Sequence, residues 1–255
     1  MKIVIIGTGN VATILGKKMA GAHHTILQVM GRSERAAAVL ASALKCTYSL
    51  ELTAMEQEAD IYFICVQDKE INAVVAQMKV PENAMVVHTA GGISIQVLAG
   101  MFRNYGIVYP LQSLRKEVTV LPVIPFFVDA NNEHNCVILS EFAKTMSAQV
   151  HRANDIQRMK LHLAAVFTSN FTNYLYSLAN DYCTASQINF SFLQPLIVET
   201  ASRLQQFAPS EIQTGPAVRG DTLTLEKHLA MLNDFEEAQE VYRFLSKKIQ
   251  MHFKD

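Results

Sequence analysis

The chain has 255 residues, half of them hydrophobic, with 22 Lys+Arg against 23 Asp+Glu and a formal net charge of −1. That balance, with no long run of either sign, excludes the electrostatic footprint of a nucleic-acid or membrane-surface binder and leaves a small-molecule substrate or another protein as partner. Its apolar stretches fall short of the roughly 20 residues that cross a bilayer, and the N-terminal "MKIVII" meets a glycine turn too early for a signal peptide, so a cytoplasmic location is expected.

Residues 2–6 (KIVII) form a continuous apolar run, as in a strand buried on both faces of a parallel sheet. After the turn at 7–9, Val11, Leu15 and Met19 recur at a spacing of four and predict a helix with one buried stripe. The alternation continues with a strand at 25–30, a helix at 33–43, a weak strand at 46–48, a strand at 60–66, a helix at 69–78 and a strand at 84–88. Short strands follow at 106–110 and 125–130, then a helix at about 133–147 and a last strand at 148–152. Residues 155–181 read as helical without Gly or Pro, and two to four further helices are expected, interrupted near Pro195, Pro209 and Gly215-Pro216. Strands alternating with helices predict an α/β doubly wound Rossmann sheet at 1–152, followed by an all-α domain at 153–255. Cys46, Cys65, Cys136 and Cys183 lack CxxC or zinc-ligand spacing and read as reduced thiols, so no metal is expected.

Gly7-Thr8-Gly9-Asn10-Val11-Ala12 fits the G-x-G-x-x-G/A dinucleotide fingerprint in the required place, after a strand and at the start of a helix. The first glycine permits the tight turn, the second lets backbone approach a pyrophosphate, and Ala12 allows close helix–strand packing. A phosphate there meets free N–H groups at the positive end of the helix dipole. Where an NAD site carries an acid at the end of the second strand, this chain has "GRS". Arg32 and Ser33 suit a 2′-phosphate and favour NADP, although Arg32 could equally be a solvated cation and Ser33 a helix cap. Ligands of such sheets lie across the carboxyl ends of the strands, which adds Val66, Gln67, His88, Thr89, Ala90 and Gly91 to the cofactor residues and Ser113 to the substrate residues. Gly91-Gly92 also reads as a simple turn.

The fingerprint "GTGNVA" resembles that of pyrroline-carboxylate reductases and deazaflavin-dependent NADP reductases. With "HTAGG", "YPLQS", "RMKLHLAAVFTSNF", "QPLIVET" and "TGPAVRGD", the chain resembles an uncharacterised bacterial NADP oxidoreductase-like family. That family pairs a Rossmann domain with a helical domain like that of 6-phosphogluconate dehydrogenase. The resemblance implies a two-domain fold, NADP as cofactor and a homodimer formed through the helical domain; it brings no substrate.

Related hydroxyacid dehydrogenases carry a lysine followed four residues later by asparagine, whereas Lys160 is followed by Ala164. At about 100° per residue, His162, Ser169 and Asn173 fall near one line, with Asn170 beside it. Lys160, Ala164, Phe167 and Phe171 form what reads as a packing face. His162 and Asn170 are therefore the expected catalytic residues, with Ser169 and Asn173 binding substrate. In "TGPAVRGD", Thr214 opens a helix start, Arg219 could hold an anionic group, and Asp221 could orient Arg219 or cap the next helix. These residues predict an NADP-dependent oxidoreductase moving hydride between the nicotinamide and a small carbonyl, imine or hydroxyl compound in an interdomain cleft. The alternative is a non-catalytic NADP sensor or scaffold acting through its helical domain.

Overall fold

In a computed structural model that describes residues 1–253, six short apolar segments pair in parallel. They are β1 (Lys2–Ile6), β2 (Thr25–Met30), β3 (Thr47–Ser49), β4 (Ile61–Ile64), β5 (Met85–His88) and β6 (Asn104–Pro110). β7 (Phe126–Ala130) joins β6 antiparallel, and β8 (Val150–Arg152) continues parallel to β7. The order is β3-β2-β1-β4-β5-β6-β7-β8, which puts β1 inside the sheet, third from one edge, and the doubly wound Rossmann sheet expected from the alternation is present.

Alternation along β1 explains why helices cover both faces. Ile3 and Ile5 pack into one apolar cluster with Ile14, Leu15 and Met19 of α1 (Asn10–Gly21), Leu40 of α2 (Glu34–Leu44) and Phe142 of α4 (Glu133–Lys144). Val4 and Ile6 face the other way, onto a cluster that includes Tyr62, Ile64, Leu98 and Ile71 and Val75 of α3 (Ile71–Val75). A strand buried on both faces needs apolar residues at every position, and Ile3, Val4 and Ile5 have no exposed surface.

Several boundaries differ from the expected ones. The segment expected as a helix at 69–78 is a 3-10 turn, Asp68–Glu70, leading into the short α3. The strand expected at 60–66 stops at Ile64, which leaves Cys65, Val66 and Gln67 in the loop. Pro195 does not interrupt a helix; it sits in the first turn of α7 (Gln194–Arg203), where its missing N–H costs nothing.

After β8 come α5 (Asp155–Ala165), a π-helical stretch Val166–Phe171, α6 (Thr172–Ala185), α7, α8 (Thr222–Met231) and α9 (Glu236–His252). The chain divides into two compact units, Met1–Ser169 and Asn170–Asp255. The sheet thus ends at Arg152, while α5 belongs with the first unit. Within the second, Tyr182 stacks edge-on against Phe235 and His228 Nδ1 lies 2.7 Å from the Tyr242 hydroxyl. Among its described residues only Cys183 and Ala217 are buried.

Candidate active site

A cavity of about 1140 Å³ opens at the carboxyl ends of β1, β2 and β4. Gly7, Thr8, Gly9, Asn10, Val11, Arg32, Ser33, Val66 and Gln67 line it, all of them expected cofactor residues. The two glycines meet different demands. Gly7 has φ +126°, and a β-carbon there would lie 2.3 Å from the Cys65 carbonyl oxygen, so the turn touches the end of β4 and admits no side chain. A β-carbon on Gly9 would meet nothing within 4 Å, because Gly9 borders the open cavity at the N-terminus of α1. That cradle, with free helix N–H groups facing an open volume, fits a pyrophosphate. Ala12 does not line the cavity; it is fully buried between α1 and the sheet, the packing role its small size suggested.

Arg32 and Ser33 occupy the start of α2. The Ser33 hydroxyl accepts from the Ala36 amide at 3.4 Å and caps the helix, and Arg32 donates to Glu70 at 3.1 Å. The 50–53 segment, Glu70 and Gln77 are also part of the lining. Sequence reasoning missed them, since they come from irregular segments without a motif.

His88, Thr89 and Ala90, expected to flank the cofactor, are buried at the end of β5 and in the loop after it, outside the lining of this cavity. His88 has no exposed surface; its Nδ1 accepts from the Ala90 amide, and Nε2 has no protein partner. Burial, reinforced by the nearby Arg158 charge, pushes its pKa down to about 4, so the ring is neutral. The Thr89 hydroxyl donates to the Ile64 carbonyl, holding the β5 loop against β4.

Gly91 belongs to a second constellation. A β-carbon on it would lie 2.9 Å from the Tyr109 ring and 3.0 Å from His162 Nδ1. The Tyr109 hydroxyl stands 3.1 Å from His162 Nδ1, with the two rings edge to face. Tyr109 comes from the end of β6 and His162 from α5, and burial raises the Tyr109 pKa while Arg158 opposes it. His162 itself is exposed.

One turn before His162, Arg158 is 1% exposed. It donates to the Ile93 carbonyl and to Asp155 Oδ1 at 2.7 Å, tying α5 to the loop after β5. Burial alone would raise Asp155, but hydrogen bonds from the Ser94 hydroxyl and from Arg158 hold its pKa below the usual carboxylate range. Arg158 and Tyr109 open two of the motifs that carry the resemblance, RMKLHLAAVFTSNF and YPLQS, but their roles were not read from sequence, because their partners lie on distant segments.

The expected polar stripe is not supported by the observed helix. Its projection assumed 3.6 residues per turn throughout, but Val166–Phe171 is π-helical, with more residues per turn, so alignment of His162 with Ser169, Asn170 and Asn173 does not carry across it. On the face read as a packing face, Lys160 and Ala164 are exposed in the single chain, and Phe167 and Phe171 are 61% and 52% exposed.

Ser113 lies exposed on the loop after β6, its amide bonded to the Gln112 side chain; that loop reaches back to the fingerprint, where the Lys116 amide donates to Asn10 Oδ1. Thr214 and Arg219 are exposed. Of the two roles open to Asp221, the structure has the cap: it accepts from the Thr224 amide and hydroxyl at the start of α8, and those bonds lower its pKa.

Two family models match the chain. "NADP oxidoreductase coenzyme F420-dependent" matches residues 2–92, and a domain of unknown function, DUF2520, matches residues 124–249. A crystal structure from Bacteroides fragilis, named as that of an NADP oxidoreductase, BF3122, is 37% identical, with 98% of each chain covered and a TM-score of 0.91. A 1-pyrroline-5-carboxylate reductase from Streptococcus pyogenes shares the fold at 16% identity, with 98% of each chain covered and a TM-score of 0.66. An imine reductase from Myxococcus stipitatus in complex with NADP+ shares it at 13% identity, covering 99% of this chain and 93% of the other, with a TM-score of 0.63. Comparison with curated proteins gave no match.

Proposed function

Because the chain belongs to the NADP oxidoreductase family that includes the Bacteroides fragilis protein, we propose that it reduces a small carbonyl or imine compound, or oxidises the corresponding hydroxyl or amine, with His162 handling the proton. When bound, the nicotinamide supplies or takes the hydride. The fingerprint backbone at Gly7 to Asn10 anchors the pyrophosphate, and Arg32 and Ser33 meet the 2′-phosphate.

The observation that carries the proton assignment is the 3.1 Å contact between the Tyr109 hydroxyl and His162 Nδ1, packed against Gly91. A hydroxyl on Nδ1 fixes the ring and leaves Nε2 for the substrate oxygen or nitrogen. In the reducing direction the imidazolium form passes its Nε2 proton to that atom as hydride reaches the adjacent carbon, which leaves a neutral ring whose Nδ1–H donates to the Tyr109 oxygen, and the ring takes a new proton from solvent.

The test is NADPH oxidation with a panel of small oxo-acids, aldehydes, cyclic imines and a deazaflavin. Turnover of a carbonyl or imine supports the proposal and excludes the non-catalytic sensor; turnover of the deazaflavin alone, unaffected by His162→Ala, overturns it. Exposed apolar side chains on the second unit, among them Phe192 and Leu196, support a homodimer as the working form. A cytoplasmic location accords with four free thiols and with the absence, among the described residues, of a helix long and apolar enough to cross a membrane.

A further inference from the structure

We propose that Glu70 sets the cofactor preference of this protein by competing with the 2′-phosphate of NADP for the Arg32 guanidinium. The inference rests on the assignment of the fingerprint cavity to NADP.

Arg32 is the one Lys or Arg side chain among those lining the cavity, and Glu51 and Glu70 are its acids. Arg32 donates to Glu70 at 3.1 Å, so the cation meant for the phosphate is already engaged, and the cavity carries a net negative charge without it. A phosphate entering there meets two carboxylates unless the guanidinium changes partner.

The exchange needs no backbone movement. On one side of Arg32 the Gly31 amide is bonded to the Ser49 carbonyl, and a β-carbon on Gly31 would lie 2.6 Å from Thr8, so this residue is clamped. On the other side Ser33 caps α2. Glu70 is fixed at its own amide, which donates to the Gln67 carbonyl at 2.8 Å. Only the two side chains are left to turn, and that of Arg32 is 82% exposed.

An exposed carboxylate–guanidinium pair is weak. A phosphate monoester carries up to two charges and three acceptor oxygens and can take the guanidinium fork with two parallel bonds, so it displaces the carboxylate. NADH has only a hydroxyl at that position and leaves Arg32 with Glu70. Glu70 thus holds down affinity for the phosphorylated cofactor specifically, by occupying its cation and by presenting a like charge.

NADPH and NADH are titrated into the parent, Glu70→Gln, Arg32→Ala and the double variant, following nucleotide fluorescence at low salt. Glu70→Gln should tighten NADPH by about three- to tenfold and change NADH less than about twofold, and most of that gain should vanish in the Arg32→Ala background and in high salt. Glu70→Ala should behave as Glu70→Gln does, and thermal melting of both confirms an intact fold. An unchanged or weaker NADPH affinity in Glu70→Gln, or an equal gain for NADH, overturns the proposal while leaving the cavity assignment standing. A parent that binds neither nucleotide overturns the assignment and the proposal together.

Discussion

A β-carbon on Gly7 would have to share space with the Cys65 carbonyl at a backbone angle that L-residues avoid, whereas one on Gly9 would project into open cavity. The same substitution type therefore separates folding from binding. Gly7→Ala should destabilise the protein by at least about 2 kcal/mol, read as a lower denaturant midpoint, because neither strain nor contact can relax without moving β4. Gly9→Val should leave the midpoint nearly unchanged and abolish NADP binding in a titration. His88 supplies a prediction of another kind. Its pKa falls from 6.5 to about 4 on folding, so the unfolded chain binds the extra proton between those values. The stability it contributes is complete above about pH 6.5 and is lost as pH falls toward 4, on the order of 3 kcal/mol in all. Melting curves of parent and His88→Asn should diverge across that window, with the variant losing less on acidification; parallel curves would show that His88 does not titrate there. At this scale the fingerprint was legible because each of its residues obeys a local backbone rule. The burial of the His88 ring was not legible, because sequence marks the end of a strand, and neither direction nor depth of burial.

The acid–base site depends on how α5 is held. Arg158 pins the helix to the loop after β5, and His162, one turn on, is thereby presented to Tyr109. His162→Ala should lower turnover by something on the order of 10²–10⁴-fold with NADP affinity nearly unchanged, as expected for lost proton transfer. Tyr109→Phe should cost less and should shift the pH profile, since it removes the hydrogen bond that orients the ring. Lys160→Ala should have a small effect; loss of turnover in Lys160→Ala with retention in His162→Ala would move the chemistry to the lysine. Periodicity located α5 and α6 as one helical run, because apolar spacing survives a single irregular turn. It could not reveal the π-helical stretch, whose sequence VFTSNF has no breaker in it. The role of Tyr109, which opens the YPLQS motif, stayed unread for a different reason: its partner His162 lies on α5, and side-chain contacts across elements leave no trace in local spacing.

For the whole molecule, the two units differ in how much they bury. The first encloses both apolar clusters of the sheet, while the second leaves Phe192 at 73%, Val198 at 64%, Leu196 at 63% and Met251 at 63% exposed. An exposure of that extent is costly in water and is relieved by association. Sedimentation should therefore give a dimer, and Phe192→Asp with Leu196→Asp should shift it toward monomer; a parent that remains monomeric at all concentrations would remove that expectation. The architecture was legible early because alternation of strand and helix constrains topology strongly. The antiparallel β7 was not anticipated as such, since its apolar run looks like that of any buried strand.

The interior position of β1 also bears on how the protein is made. β1 is made before either of its neighbours, yet it lies between β2 and β4, the Gly7 amide bonds to the Met30 carbonyl, and the turn rests against Cys65. A nascent chain shorter than this holds the whole nucleotide fingerprint but has no partner to shape it, so the motif cannot act as an early folding nucleus around its ligand. Nucleotide capture therefore waits for the segments through Gln77 that line the cavity, and a cofactor that binds the folded form draws their folding forward by mass action.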